Sequence, residues 1–270
     1  LENLLDFKKI NPPAEIKSDQ EDTAAGLQKI TNDVMLHLAK FIQEKTGSRN
    51  LCLAGGVALN CVSNQMLMNS SLFKNIFVQP AANDAGTALG AAYYIWNQIL
   101  GGKRLFIMEH TYWGPEYTNK EIQEALDRAG LKYQKTKNLV HDVAARLAEG
   151  NIIGWFQGRS EWGPRALGNR SLLADPRSPE MKKILNARIK KREPFRPFAP
   201  SVLSEQVQNW FDISPDCKSI STESMEVNFD VKKDKRQKIP AVIHKDGTSR
   251  IQSVNKNTNP LYHRLITSFF

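Results

Sequence analysis

The chain has 270 residues, room for two ordinary domains with a core each. Its 41% hydrophobic and 24% charged residues are the proportions of a globular protein. No apolar stretch approaches the roughly 20 residues of a membrane helix, so a helical membrane protein is excluded.

Residues 1–20 carry Pro12, Pro13 and mixed charges, and read as a linker or strand remnant. Leu27, Ile30, Val34, Leu38 and Ile42 then recur at helical spacing, which predicts an amphipathic helix over Thr23–Lys45, stopped by Gly47. Asn50–Ala54 reads as a buried strand, Val57–Asn69 as a helix, Asn75–Gln79 as a second strand and Asp84–Leu100 as a closely packed helix rich in small residues. This alternation indicates an α/β sheet with crossover connections. Gly101-Gly102 opens an irregular stretch through Pro115, which places a domain boundary near residue 108. Beyond it come a helix over Asn119–Ala129, a strand over Leu131–Thr136, a helix over Leu139–Glu149 and a buried strand over Ile152–Phe156. The expected organisation is therefore two α/β modules, 1–108 and 109–270.

The net charge of +9 admits nucleic acid, an acidic surface or small anions as partners. One group of cations is interleaved with Gly, Pro and aromatics between Arg159 and Arg196, unlike a low-complexity RNA-binding tail. The run Lys232–Arg236 reads as a solvated turn. Cys52, Cys61 and Cys217 fit neither a zinc pattern nor a disulfide framework. Cys52 and Cys61 are expected as small core residues, and a reducing, cytoplasmic setting follows.

Five segments could carry chemistry. In LAGGVALN, a strand runs into Gly55-Gly56 and then a helix; glycine admits close approach of a phosphate, although the pair alone also suits a plain tight turn. In NDAGTALG, Asp84 stands at a strand-to-helix junction, where an N-cap is the local favourite and a metal or phosphate-side ligand the alternative. GRSEWGPRALGNRS packs Arg159, Arg165 and Arg170 among three glycines, a composition suited to bidentate recognition of phosphate or carboxylate. Glu161 is expected to orient one of these arginines through an ion pair. REPFRPFAP is stiffened by prolines around Arg196, with Phe195 and Phe198 either walling a nucleotide pocket or packing into the core. Ala241–Gln252 reads as a hairpin about Asp246-Gly247, with His244 and Arg250 on its arms.

Together these motifs, in this order, resemble the carbamoyltransferase family that includes nodulation-factor and antibiotic-tailoring O-carbamoyltransferases, over about Asp22–Thr267. The resemblance implies a partial ASKHA (actin-like ATPase) domain followed by a YrdC-like α/β domain. It implies formation of carbamoyl-adenylate from carbamoyl phosphate and ATP, then transfer of the carbamoyl group to a hydroxyl of a sugar, oligosaccharide or antibiotic. Gly55, Gly56, Asn60 and Gly86 would lie along the nucleotide. Asp84 would be a ligand of a divalent metal, iron in preference to magnesium. Arg159, Arg165, Arg170 and Arg196, with His244 and Arg250 as weaker candidates, would surround the carbamoyl and phosphate groups. The His-x-x-x-His pair of the family's metal site has no counterpart in this sequence. That gap, the start without Met and the apolar end at Phe270 read as a piece lacking both ends, unable by itself to complete transfer. Two other readings stand beside this one: a threonylcarbamoyl-type tRNA-modification enzyme, and a non-catalytic nucleotide-binding regulator. Neither membrane nor nucleic acid is an expected partner; a homo-oligomer is compatible.

Overall fold

The computed structural model describes residues 16–213 and 220–270, so the expectations for residues 1–15 and for Cys217 lie outside the described residues. The architecture is mixed α/β, with helices around small two- and three-stranded sheets.

Helix α1 spans Ser18–Thr46 and so begins inside the stretch read as a linker. Asp19 and Glu21 in its first turn and Lys45 in its last complement the helix dipole. Gly47, at φ 62°, closes it by donating to the Gln43 carbonyl. The stripe that marked the helix in the sequence is not its buried side: Leu27 and Ile30 are 67% and 62% exposed. Ala39, with Met35 and Leu36, instead packs on Leu51, Leu67 and Phe73.

Strands β1 (Asn50–Leu53) and β2 (Asn75–Val78) pair in parallel, from Asn50 opposite Asn75 to Leu53 opposite Val78. Between them the expected helix divides into a 3-10 turn, Gly56–Leu59, and helix α2, Cys61–Asn69. Asn60 makes the break, because its side chain caps α2 by accepting from the Val62 and Ser63 amides. After β2 come a 3-10 turn (Asp84–Gly86), helix α3 (Thr87–Tyr94) and a π turn (Ile95–Ile99). Cys52 is exposed and Cys61 half-buried, against the expectation that both are core residues. Cys52 follows the buried Leu51, and alternation along the short strand turns it outward.

Helix α4 (Asn119–Arg128) starts at a capping box made by Thr118 and Glu121. The strand expected over Leu131–Thr136 is absent. Leu131 and Tyr133 are exposed there, with no strand among the described residues alongside to pair their backbone. Helix α5 (Leu139–Ala148) leads into β3 (Ile153–Phe156), antiparallel to β4 (Arg170–Leu173). Strand β5 (Ser201–Leu203) pairs in parallel with β9 (Gln252–Val254), and β6 (Phe211–Asp212), β7 (Asn228–Val231) and β8 (Thr248–Arg250) form an antiparallel sheet. Helix α6 (Pro260–Phe269) seals the core by setting Tyr262, Leu265 and Ile266 against Val143, Ala144 and Leu147 of α5 and Trp155 of β3.

The hairpin expected over Ala241–Gln252 is corrected. The tight turn is present, with Gly247 donating to the His244 carbonyl and His244 to the Thr248 carbonyl. Its first arm, however, is a 3-10 turn, Pro240–Val242, and β8 pairs with β7 instead. Pro240 has no N–H for a ladder, and the Val242 carbonyl accepts from the Ser249 hydroxyl. Lys232–Arg236 forms a turn, but it is not solvated throughout: Lys232, Lys235 and Arg236 are half-buried.

Candidate active site

The glycine, Asn-Asp-Ala-Gly and arginine segments meet at the carboxyl ends of β1 and β2. Gly55 lies at φ 96°, open to glycine and strained for other residues, and its amide donates to the Ala82 carbonyl at 2.7 Å. A Cβ on Gly55 or Gly56 would meet nothing within 4 Å, so the turn faces open space. Gly86 has a packing role: a Cβ there would stand 2.2 Å from the Ala81 carbonyl oxygen. The arginine loop closes on the same spot, where Gly163, at φ 116°, brings its backbone against the Pro80 carbonyl. Arg165 then reaches across and donates from Nη2 to the Leu59 carbonyl at 3.3 Å. Asn60 is committed to its cap and to Gln28, which limits it to holding the turn's shape.

Asp84 is exposed and makes no cap hydrogen bond, so the local expectation of an N-cap is not met. Among the described residues no group of three or more His, Cys, Asp or Glu could hold a metal ion. Asp84 alone does not make a metal site.

Glu161 organises the arginine loop in a way the sequence did not suggest. It forms no ion pair with an arginine among the described residues; one carboxylate oxygen accepts from the amides of Leu167, Asn169 and Arg170 at 2.7, 2.9 and 3.1 Å. The carboxylate thus folds the loop around itself. Beneath it, Gln157 donates to the side chains of Asn169 and Asn259, and Asn259 donates to the Tyr112 hydroxyl.

The expected anion-binding arginines separate into different environments. Arg170 lies 3.6 Å over the Phe156 ring and donates to the carbonyls of Gln157, Gly158, Asn169 and Pro115, which leaves its guanidinium a structural tie. Arg159 is half-exposed beside Glu116, and Arg196 pairs with Glu193 at 2.8 Å. Phe195 points outward, while Phe198 packs into the core beneath the Arg192 guanidinium.

Arg165 and Arg250 are the two that share a cavity, a space of about 770 Å³ bounded by β4, β5, the 3-10 turn at 240–242 and α6. Among the described residues its other cations are Arg177, Lys190, Arg192 and Lys238, and no Asp or Glu lines it. Burial lowers the pKa of Arg250, and the nearby Arg165 lowers it further, against the opposing influence of Cys61 and Glu226. Such a space is strongly suited to an anion. His244 sits just outside, with Nδ1 3.0 Å from the Thr248 hydroxyl; burial lowers its pKa, so it adds no charge at neutral pH. Sequence reasoning missed Arg177, Arg192 and the buried Glu226. Arg177 follows Asp175 in a bidentate pair, a spacing that could have flagged it.

Residues 4–93 match the family described as Carbamoyltransferase N-terminus, and residues 144–270 match Carbamoyltransferase C-terminus. This chain belongs to the carbamoyltransferase family. It is 42% identical to the uncharacterized protein sll1178 of Synechocystis, over 96% of the chain and 46% of that protein. It is likewise 42% identical to nodulation protein NolO of Bradyrhizobium diazoefficiens, over 92% of the chain and 45% of the relative. Nodulation protein U of Sinorhizobium fredii is 38% identical over 78% of the chain and 35% of its own length. The chain thus spans less than half the length of these relatives. No helix among the described residues is long and apolar enough to cross a membrane.

Proposed function

We propose that this chain is the phosphate-handling part of an ATP-dependent O-carbamoyltransferase. Water releases phosphate from carbamoyl phosphate, the carbamate oxygen displaces pyrophosphate from ATP to give carbamoyl-adenylate, and the acceptor hydroxyl then displaces AMP. The acceptor is a small hydroxylated molecule, a class that includes sugars, oligosaccharides and antibiotics. The observation that carries this reading is the cavity holding Arg165 and Arg250, cationic and, among the described residues, without a carboxylate along its walls. Fixed guanidinium groups stabilise charge as it gathers on in-line phosphates. Open space before Gly55-Gly56 leaves that turn as the alternative place for the nucleotide. Asp84, exposed beside it, is offered to a divalent ion, iron in preference to magnesium, with the other ligands supplied from beyond the described residues.

Calorimetric titration of ATP into the chain and its Arg165→Ala variant, with and without carbamoyl phosphate, tests the proposal. Micromolar binding, about −8 kcal/mol, is expected in the parent chain and lost in the variant. Binding that survives the substitution would move the nucleotide to the glycine turn, and no binding by a folded chain would refute the reading for this segment.

A further inference from the structure

Two arginines of the cavity reach from the second half of the chain into the first. Arg165 Nη2 donates to the Leu59 carbonyl at 3.3 Å, and Arg250 feels the side chain of Cys61. Leu59 ends the 3-10 turn that follows Gly55, and Cys61 opens α2. The contact belongs to a wider seam. Gly163 sets the arginine loop against the Pro80 carbonyl, and Asn64 of α2 donates to the Glu226 carbonyl at 2.9 Å. The glycine turn joins the same seam, since the Gly55 amide donates to the Ala82 carbonyl. Residues 59–61 are therefore held on one side by the cavity's cations and run on the other into the glycine turn.

These ties are incomplete. At 3.3 Å the Arg165 bond lies beyond the about 2.7–3.2 Å of a full-strength N–H···O bond. Among the described residues the Nε of Arg165 and of Arg250 is buried without a partner, so neither guanidinium is saturated. Arg170 and Arg177 differ, one spent on backbone carbonyls and the other on Asp175. Arg165 also lowers the pKa of Arg250, the mark of like charges held close. Glu226, whose carboxyl acts on and is acted on by both, is pushed up to about 8 by burial and is mainly protonated at neutral pH. The two guanidiniums thus repel each other with little to balance them, and one long bond must hold Arg165 in place. Both line the cavity, so an anion there stands beside both charges.

We propose that an anion in the cavity is the counter-ion that holds Arg165 on the Leu59 carbonyl, and that it thereby stiffens the glycine turn of the first half. This rests on the reading of the cavity as a phosphate site, and adds an order of events to it. The phosphate-bearing substrate enters the cavity first, and the turn is set for its own ligand afterwards. Once the repulsion is neutralised, Arg165 becomes a fixed bridge between the anion and the backbone at Leu59. The coupling is reciprocal, so a ligand that stiffens the turn tightens anion binding by the same factor.

Hydrogen exchange tests this in peptides covering residues 56–66, with and without saturating inorganic pyrophosphate, whose binding is followed in parallel by calorimetry. Pyrophosphate should slow exchange there by about fivefold or more, while the amides of α4, away from the cavity, keep their rate. In Arg165→Met, which keeps the stem and removes the charge, the same amides should exchange faster than in the parent chain before any anion is added. Pyrophosphate should not slow them. Binding without slowing in the parent chain would overturn the inference and leave the cavity's assignment to phosphates intact. Equal slowing at α4, or an Arg165→Met variant whose amides start at the parent's rate, would overturn it as well. A folded parent chain that fails to bind pyrophosphate would remove both this inference and the reading beneath it. Should Arg165→Met not fold, the titration of the parent chain still decides.

Discussion

Glu226 shows how a single buried carboxyl couples folding to pH. Its pKa is pushed up from 4.5 to about 8, so between those values the folded chain holds a proton that the unfolded chain has released. Stability from this group is complete below pH 4.5 and is lost as pH rises through about 8. Glu223, raised to about 7 by burial and by Glu109, acts in the same direction. His244, with its lowered pKa, acts oppositely, but only below its ordinary value of 6.5. Thermal melting between pH 6.5 and 8 should therefore show stability falling, with Glu226 contributing about 2 kcal/mol. The Glu226→Gln variant should flatten that fall; an identical slope would show that the carboxyl ionises freely. Glu226 was not legible in the sequence. Glu226, Asn228 and Asp230 alternate with Val227, Phe229 and Val231, which reads as a strand with one face in water. Asp230 is indeed exposed, but the first two polar residues are buried against α2, from residues far away in the chain.

The elements that were read well are those whose signals are local. Helix α1 emerges from periodicity and the stop at Gly47, β1 from a short apolar run ending at Gly55-Gly56, and β2 from one closed by Pro80. Leu131–Thr136 and the first arm of the expected hairpin failed because strand formation depends on a partner, and no pattern within those segments says whether one is present. In the arginine motif the composition gave no sign of which guanidinium groups the fold would commit to its own backbone. Arg170 serves backbone carbonyls that the fold brings from Pro115 and Gln157. At α2 the consequences of a local signal can be measured. Asn60 accepts from two amides at the helix start, so Asn60→Ala should cost about 1 kcal/mol in denaturant unfolding. A loss near zero would mean that Gln28, which also contacts Asn60, carries the cap's role.

At the scale of the whole molecule, the apolar contacts are unevenly spent. The second half buries a continuous cluster of α5, β3, β5, β9 and α6 side chains, whereas α1 leaves its long stripe exposed. Leu265, 1% exposed at the centre of that cluster, is the position where a cavity would be felt most. Leu265→Ala should destabilise by about 2–5 kcal/mol, read as a lower denaturation midpoint at unchanged slope. A loss below 1 kcal/mol would show that α6 is seated only loosely.

The seat of α6 also bears on how the chain is made. Val143, Ala144 and Leu147 find their partners at Tyr262, Leu265 and Ile266, and β5 finds its parallel neighbour only at β9. Pairings so distant in sequence form late, because a long loop must close before they reward it. Until the hundred or so residues that follow β3 have been made, α5 and β3 lack the α6 side chains that cover them. Chaperone binding to the nascent second half, followed by rapid release once α6 is out, is the behaviour this topology demands of the cell.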